Sequence, residues 1–116
     1  MKSYTDLEQS KKLAEILPIE SSDMYWNLLL KDKYARVNNI GHCLGRYCVY
    51  AWSLAALLDI LPTIDDEFEP QLHRSSDKYI CTYEGKEDSS GLWKVADNPV
   101  DACVDMIEKL HELKKL

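Results

Sequence analysis

The sequence predicts a single α+β domain spanning residues 1–116, with three helices packed on an antiparallel sheet of three to five strands. Three observations predict it. Apolar residues recur at helical spacing in three separated segments. Between the second and third of these, over residues 68–96, the period drops to two, as a strand meander requires. Prolines or short polar clusters mark the changes of period.

The first helix is expected to start at Thr5. Thr5 and Glu8 have the Thr-x-x-Glu spacing of a capping box, in which each side chain satisfies the other residue's free backbone N–H. Leu13, Ile16 and Leu17 then share a face, and Pro18 stops the helix. Residues 24–50 read less sharply: "MYWNLLL" fits a strand or a short helix, and "KYARV" is a segment that can pair with another. For the second helix Ser53 is the N-cap, with Trp52 before it placed to pack on Leu57 as a hydrophobic staple. Leu54, Leu57, Leu58 and Leu61 follow at i, i+3, i+4 and i+7, and Pro62 ends the run.

These two helices end in the same way, "LAEILP" at 13–18 and "LLDILP" at 57–62. So short an agreement falls well below the period of roughly 20–50 residues of a true repeat. It marks two scaffold helices stopped alike. The strands of the meander are "EPQLHR", "KYICTYE" and "LWKVAD", joined by the polar links "SSD" and "GKEDSSG". In the last helix Asn98 is the N-cap, Pro99 takes the first position, where its missing N–H costs nothing, and Asp101 lies in the positive first turn. Its apolar stripe is Val100, Cys103, Val104, Ile107 and Leu110.

Composition limits the function classes. Twenty acidic against 14 basic residues give a net charge of −6, which repels phosphate backbones and makes nucleic-acid binding by the whole chain an unfavoured reading. Apolar residues at 46% and charged residues at 29% suit a packed core and not disorder. The N-terminal stretch has no apolar leader core, and no segment approaches the roughly 18–20 apolar residues of a membrane span, so a cytoplasmic location without membrane attachment is expected. A chain of this size does not need disulfide staples, so Cys43, Cys48, Cys81 and Cys103 are expected to be reduced. Cys81 and Cys103 fall on apolar faces, where cysteine packs as a small hydrophobe.

Few residues suggest chemistry. Cys43, Cys48 and His42 lack the paired short spacings of a zinc site; His73 and Cys81 would complete one only if the strands converged on that loop, so no metal and no cofactor are expected. "GHCLGR" has too few residues between its glycines, and an arginine where a phosphate loop needs its lysine. Cys48, His73 and Asp97 occur in the chain order of a cysteine hydrolase, yet Cys48 precedes the cap Ser53 by more than a helical turn, too early for the dipole to activate the thiol. One local feature departs from the global charge. Residues 31–52 carry Lys31, Lys33, Arg36 and Arg46 against the single acid Asp32, interleaved with Tyr34, Tyr47, Tyr50 and Trp52. Such a mixture can stack bases, which keeps a weak nucleic-acid binder as an alternative, but exposed tyrosine and arginine are also the residues of protein interfaces.

Three segments, "LEQSKKLAEILPIESSDM" (7–24), "WSLAALLDILP" (52–62) and "DNPVDACVDMIEKLHEL" (97–113), resemble an uncharacterised family of short bacterial proteins often carried on prophage-like or other mobile elements. That family has no established activity, cofactor or catalytic residues, so the resemblance implies only a context: a small accessory protein of a bacterial cytoplasm, of phage or mobile-element origin. The leading expectation is therefore a non-enzymatic interaction module. It would bind an unidentified protein partner, or a second copy of itself, through Lys33, Tyr34, Arg36, Arg46, Tyr47 and Tyr50. The alternative is a hydrolase using Cys48 and His73.

Overall fold

The computed structural model describes residues 1–28, 35–37, 47–64, 68–83 and 92–116. Among these the helices are α1 (Leu7–Ile16), α2 (Leu54–Ile60) and α3 (Pro99–Glu112), and the strands are β1 (Met24–Asn27), β2 (Arg36–Val37), β3 (Cys48–Ala51), β4 (Pro70–Ser75), β5 (Lys78–Tyr83) and β6 (Leu92–Ala96). The α+β class and the meander are as the sequence predicts. The strands, however, divide into two antiparallel sheets with orders β2-β1-β3 and β4-β5-β6. The meander follows from local alternation, whereas β1 reaches β3 across the intervening chain, with Met24 opposite Ala51 and Asn27 opposite Cys48. "MYWN" is thus a strand, and Arg36 and Val37 of "KYARV" pair with it.

Both proline stops have a common mechanism. A residue before proline is pushed out of the helical region by the ring, and Leu17 (φ −107°, ψ 149°) and Leu61 (φ −60°, ψ 116°) are both extended. Each still donates its N–H back, to the carbonyls of Leu13 and Leu57. The caps of α2 and α3 fall at Ser53 and Asn98, whose side chains accept the N–H groups of Ala56 and Asp101. Ser53 is itself held by Asp23, which accepts both its backbone N–H (2.8 Å) and its hydroxyl.

The cap of α1 corrects the sequence reading. It is Asp6, one residue later than Thr5, and the reciprocal partner is Gln9: Asp6 accepts the Gln9 N–H at 2.8 Å while the Gln9 side chain accepts the Asp6 N–H at 3.1 Å. Thr5 is occupied elsewhere. Its N–H donates to the Trp52 carbonyl at 2.9 Å, and its Oγ1 accepts the Trp52 N–H at 3.1 Å. Ser10 Oγ, 2.7 Å from Thr5 Oγ1, uses its one proton on the Asp6 carbonyl, so the Thr5 hydroxyl must donate to Ser10. The result is a directed chain from Trp52 N–H through two buried hydroxyls to a carbonyl in the first turn of α1. Among the described residues no buried side-chain nitrogen or oxygen lacks a partner.

Trp52 is the centre of the fold. It is fully buried, with Leu13, Leu57 and the inner face of α3 in the same core cluster, and its indole N–H donates to Ser21 Oγ at 3.0 Å. α3 supplies most of the rest: Val100, Ala102, Cys103, Val104, Met106, Ile107 and Leu110 are all buried. At about 1.5–3 kcal/mol for each large side chain removed from water, this helix is the principal source of core stability. Lys2 ties α1 to α3, bonding Asp6 at 2.9 Å and Asp101 at 2.8 Å.

Candidate interaction surface

The sites suggested by the sequence are separated by the fold. Lys33, Tyr34 and Arg46 lie outside the described residues, as do His42, Cys43, the whole of "GHCLGR" and the link "GKEDSSG". Arg36 and Tyr50 face β1 from its two sides, Tyr25 being the register partner of both, so the three form one row across the first sheet. Within that row Arg36 is exposed, Tyr25 buried and Tyr50 half-buried against the core. Tyr47 lies beyond the start of β3, where its carbonyl accepts the Leu28 N–H at 2.8 Å. Both members of this pair are exposed, Tyr47 by 46% and Leu28 by 39%. Trp52, the last aromatic of the basic segment, is core and is withdrawn from any surface.

The hydrolase residues are each engaged differently. Cys48 opens β3 in the first sheet and its sulfur is held in a disulfide, so in this state it offers no thiolate. The expectation of reduced cysteines therefore holds for Cys81 and Cys103 and fails for Cys48. His73 is exposed on β4, in the other sheet, and Asp97 is ion-paired with Lys78. Among the described residues no three His, Cys, Asp or Glu side chains gather as a metal site would need. An open cleft of about 560 Å³ between the turn at Ile19–Ser21 and α2 is lined by Glu20, Asp23 and Asp59, but Asp23 is already committed to Ser53.

The surface that the sequence reading missed lies on the second sheet. Register pairs Thr82 with Trp93 and Ile80 with Val95, and since side chains alternate, these four share the face that also carries Gln71 and His73 of β4. The opposite face carries Cys81 and Tyr83, which belong to the core, together with Leu92 and Ala96, packed against it. Hydropathy alone would turn Trp93 and Val95 inward and Lys94 outward. The structure inverts this: Trp93 is 62% exposed and Val95 41%, while Lys94 lies on the α3 side, beside Asp105, Glu108 and Glu112.

Alternation from Leu92 and Ala96, which pack on the core, produces the inversion, and the local charge agrees with it. Burial raises the Asp105 carboxyl above its ordinary value, as does the charge of Asp101, and Lys94 opposes both. Strand β6 turns Leu92 and Ala96 to the core, which carries Lys94 to the side of the α3 acids. Trp93 and Val95 are left facing outward. The signal in the sequence was the spacing of Lys94 between two apolar residues opposite an acidic helix flank, which only the pairing of β6 with α3 makes readable.

The buried polar chemistry belongs to the scaffold. Burial raises the Asp101 carboxyl, but hydrogen bonds from Lys2, Gln9 and Asn98 outweigh it and leave the group below the usual carboxylate range. The Tyr83 hydroxyl donates to the Pro62 carbonyl at 2.7 Å and is pushed up by burial. The Cys103 thiol is pushed up by its neighbour Cys81 and by burial. Among the described residues no helix is long and apolar enough to cross a membrane. Comparison with known proteins yields no matching family model, no similar curated protein and no similar solved structure.

Proposed function

We propose that this protein is a non-enzymatic interaction module that docks a partner protein on the outer face of the β4-β5-β6 sheet. The observation that carries the reading is the outward pair Trp93 and Val95, flanked by the half-buried Ile80. An antiparallel sheet with one solvated face ordinarily turns polar residues to water, and a departure from that rule marks a binding surface. Tryptophan is also the residue most enriched at the energetic centre of interfaces. Around Trp93, Val95 and Ile80 the same face carries Gln71, His73 and Thr82, with Lys78 toward the end of β5, so the partner surface has an apolar centre and a polar rim. The exposed Tyr47 and Leu28, with Arg36 nearby in the first sheet, offer a smaller second contact.

A cytoplasmic location and a phage or mobile-element origin belong to the same reading, and neighbouring genes are where the partner is to be sought. The test is affinity capture with three baits: wild type, Trp93→Lys and Arg36→Glu, each shown by urea midpoint to be folded. A partner retained by wild type and Arg36→Glu but lost from Trp93→Lys supports docking on β6. Loss from Arg36→Glu alone moves the contact to the first sheet, and equal capture by all three overturns both assignments. Sedimentation of the same proteins shows whether that partner is a second copy of the chain.

A further inference from the structure

The charge around the outer face of the β4-β5-β6 sheet is distributed unevenly. Register sets Pro70 opposite Tyr83 and Tyr83 opposite Leu92, so the start of β4, the end of β5 and the start of β6 meet at one end of the sheet. The sequence segments joined to that end, residues 65–69 and 84–91, carry seven of the chain's 20 acids and one of its 14 bases, which is the whole net charge of −6. Glu69, directly before β4, is exposed. At the other end the charges answer one another: Lys78 is paired with Asp97, and beside the exposed Asp77 the Arg74 guanidinium donates to the Ser76 carbonyl at 2.9 Å. The row of Gln71, Thr82 and Trp93 lies one residue in from the acidic end.

On the premise that this face docks a protein, we infer that the docked element is a basic amphipathic helix, with its apolar stripe on Trp93, Val95 and Ile80 and its lysines or arginines toward the acidic end of the sheet. Shape and charge both select this occupant. On the inner side one helix, α3, packs against β5 and β6. Its 14 residues span about 21 Å, matching strands of five or six residues that run about 17–20 Å, so one helix of that length covers such a face. A second copy of this chain would set the same net −6 against itself, and a nucleic acid would add phosphates to it. A basic helix is drawn in by the field and pairs with it on arrival. Trp93 anchors the contact, and the acids steer it.

The test titrates the full chain against two dye-labelled synthetic peptides of the length of α3, one of leucine and lysine and one of leucine and glutamate in the same amphipathic pattern, followed by fluorescence anisotropy. The lysine peptide should bind and the glutamate peptide should not. Trp93→Thr, which keeps every charge and a strand-forming side chain, should weaken binding by about thirtyfold or more. Neutralising the segment before β4 by Asp65→Asn, Asp66→Asn, Glu67→Gln and Glu69→Gln should weaken it by about tenfold and flatten its salt dependence. Glu8→Gln with Glu15→Gln, two exposed acids of α1, should change it by less than about twofold. Each variant is first shown by urea midpoint to be folded. Equal binding of both peptides, or binding of the lysine peptide that Trp93→Thr leaves unchanged, overturns the inference, as does an equal loss from the α1 pair. If the lysine peptide fails to bind while a captured partner still depends on Trp93, the basic helix falls and docking on the face stands; if neither binds, both fall.

Discussion

Replacing Thr5 by valine preserves shape and deletes one hydroxyl from the chain that runs from Trp52 N–H to the Asp6 carbonyl. Two bonds go. The Trp52 N–H loses its acceptor at 3.1 Å, and Ser10 Oγ loses its donor at 2.7 Å while keeping its own bond to Asp6. Thr5, Ser10 and Trp52 are all fully buried, so water cannot take the hydroxyl's place. A stranded buried N–H costs about 1–3 kcal/mol and the second bond about 1 kcal/mol, a total of roughly 2–4 kcal/mol. With a urea slope of about 1.5 kcal/mol/M, the midpoint should fall by roughly 1.3–2.7 M. Thr5→Ser is the control: it keeps the hydroxyl and removes one methyl, at about 1 kcal/mol. A valine loss below about 0.5 kcal/mol, or a serine variant less stable than the valine one, would refute the directed chain and reduce Thr5 to packing.

Asn98→Ala removes the α3 cap, which accepts the Asp101 N–H and donates to its carboxylate, and should lower stability by about 1–2 kcal/mol by urea titration. Acid sensitivity should centre on Asp6 and Asp101: both folded carboxyls lie below the ordinary value of 3.8, so their contribution is present above it and fades as pH falls through and below it. Asp101→Asn should therefore flatten the acid limb of urea midpoints between about pH 3 and pH 7, and an unchanged limb would move the sensitivity elsewhere. Asp105, whose carboxyl is raised, acts with the opposite sign, so Asp105→Asn should steepen that limb.

The parts of the fold legible in the sequence are those fixed by neighbours in the chain. Asn98-Pro99, Ser53 and the two proline stops act within a turn of their own residue, and each does what its local chemistry dictates. Thr5 looked like a cap for the same local reason. It is not one because Trp52, 47 residues away, claims its hydroxyl, and Asp6 then takes the role. The division into two sheets was hidden likewise, since nothing near Met24 announces that its partner is Ala51. Of the candidate surface, Tyr47 and Arg36 were legible from residue type alone. Trp93 was not, because a tryptophan in a strand reads as core until Lys94 beside it is seen to belong with the acids of α3.

The strap formed by residues 2–5 has a consequence for the order in which a nascent chain can fold. The Thr5 N–H and hydroxyl meet Trp52, the Ser3 carbonyl accepts the Leu54 N–H, and Lys2 completes its bonds only with Asp101. A helix of ten residues such as α1 is marginal alone in water. During synthesis it therefore stays open until Trp52 has emerged, and it is locked only when the start of α3 follows. Residues 2–5 precede their partners in the chain and are secured only after them, with α3 supplying the clasp.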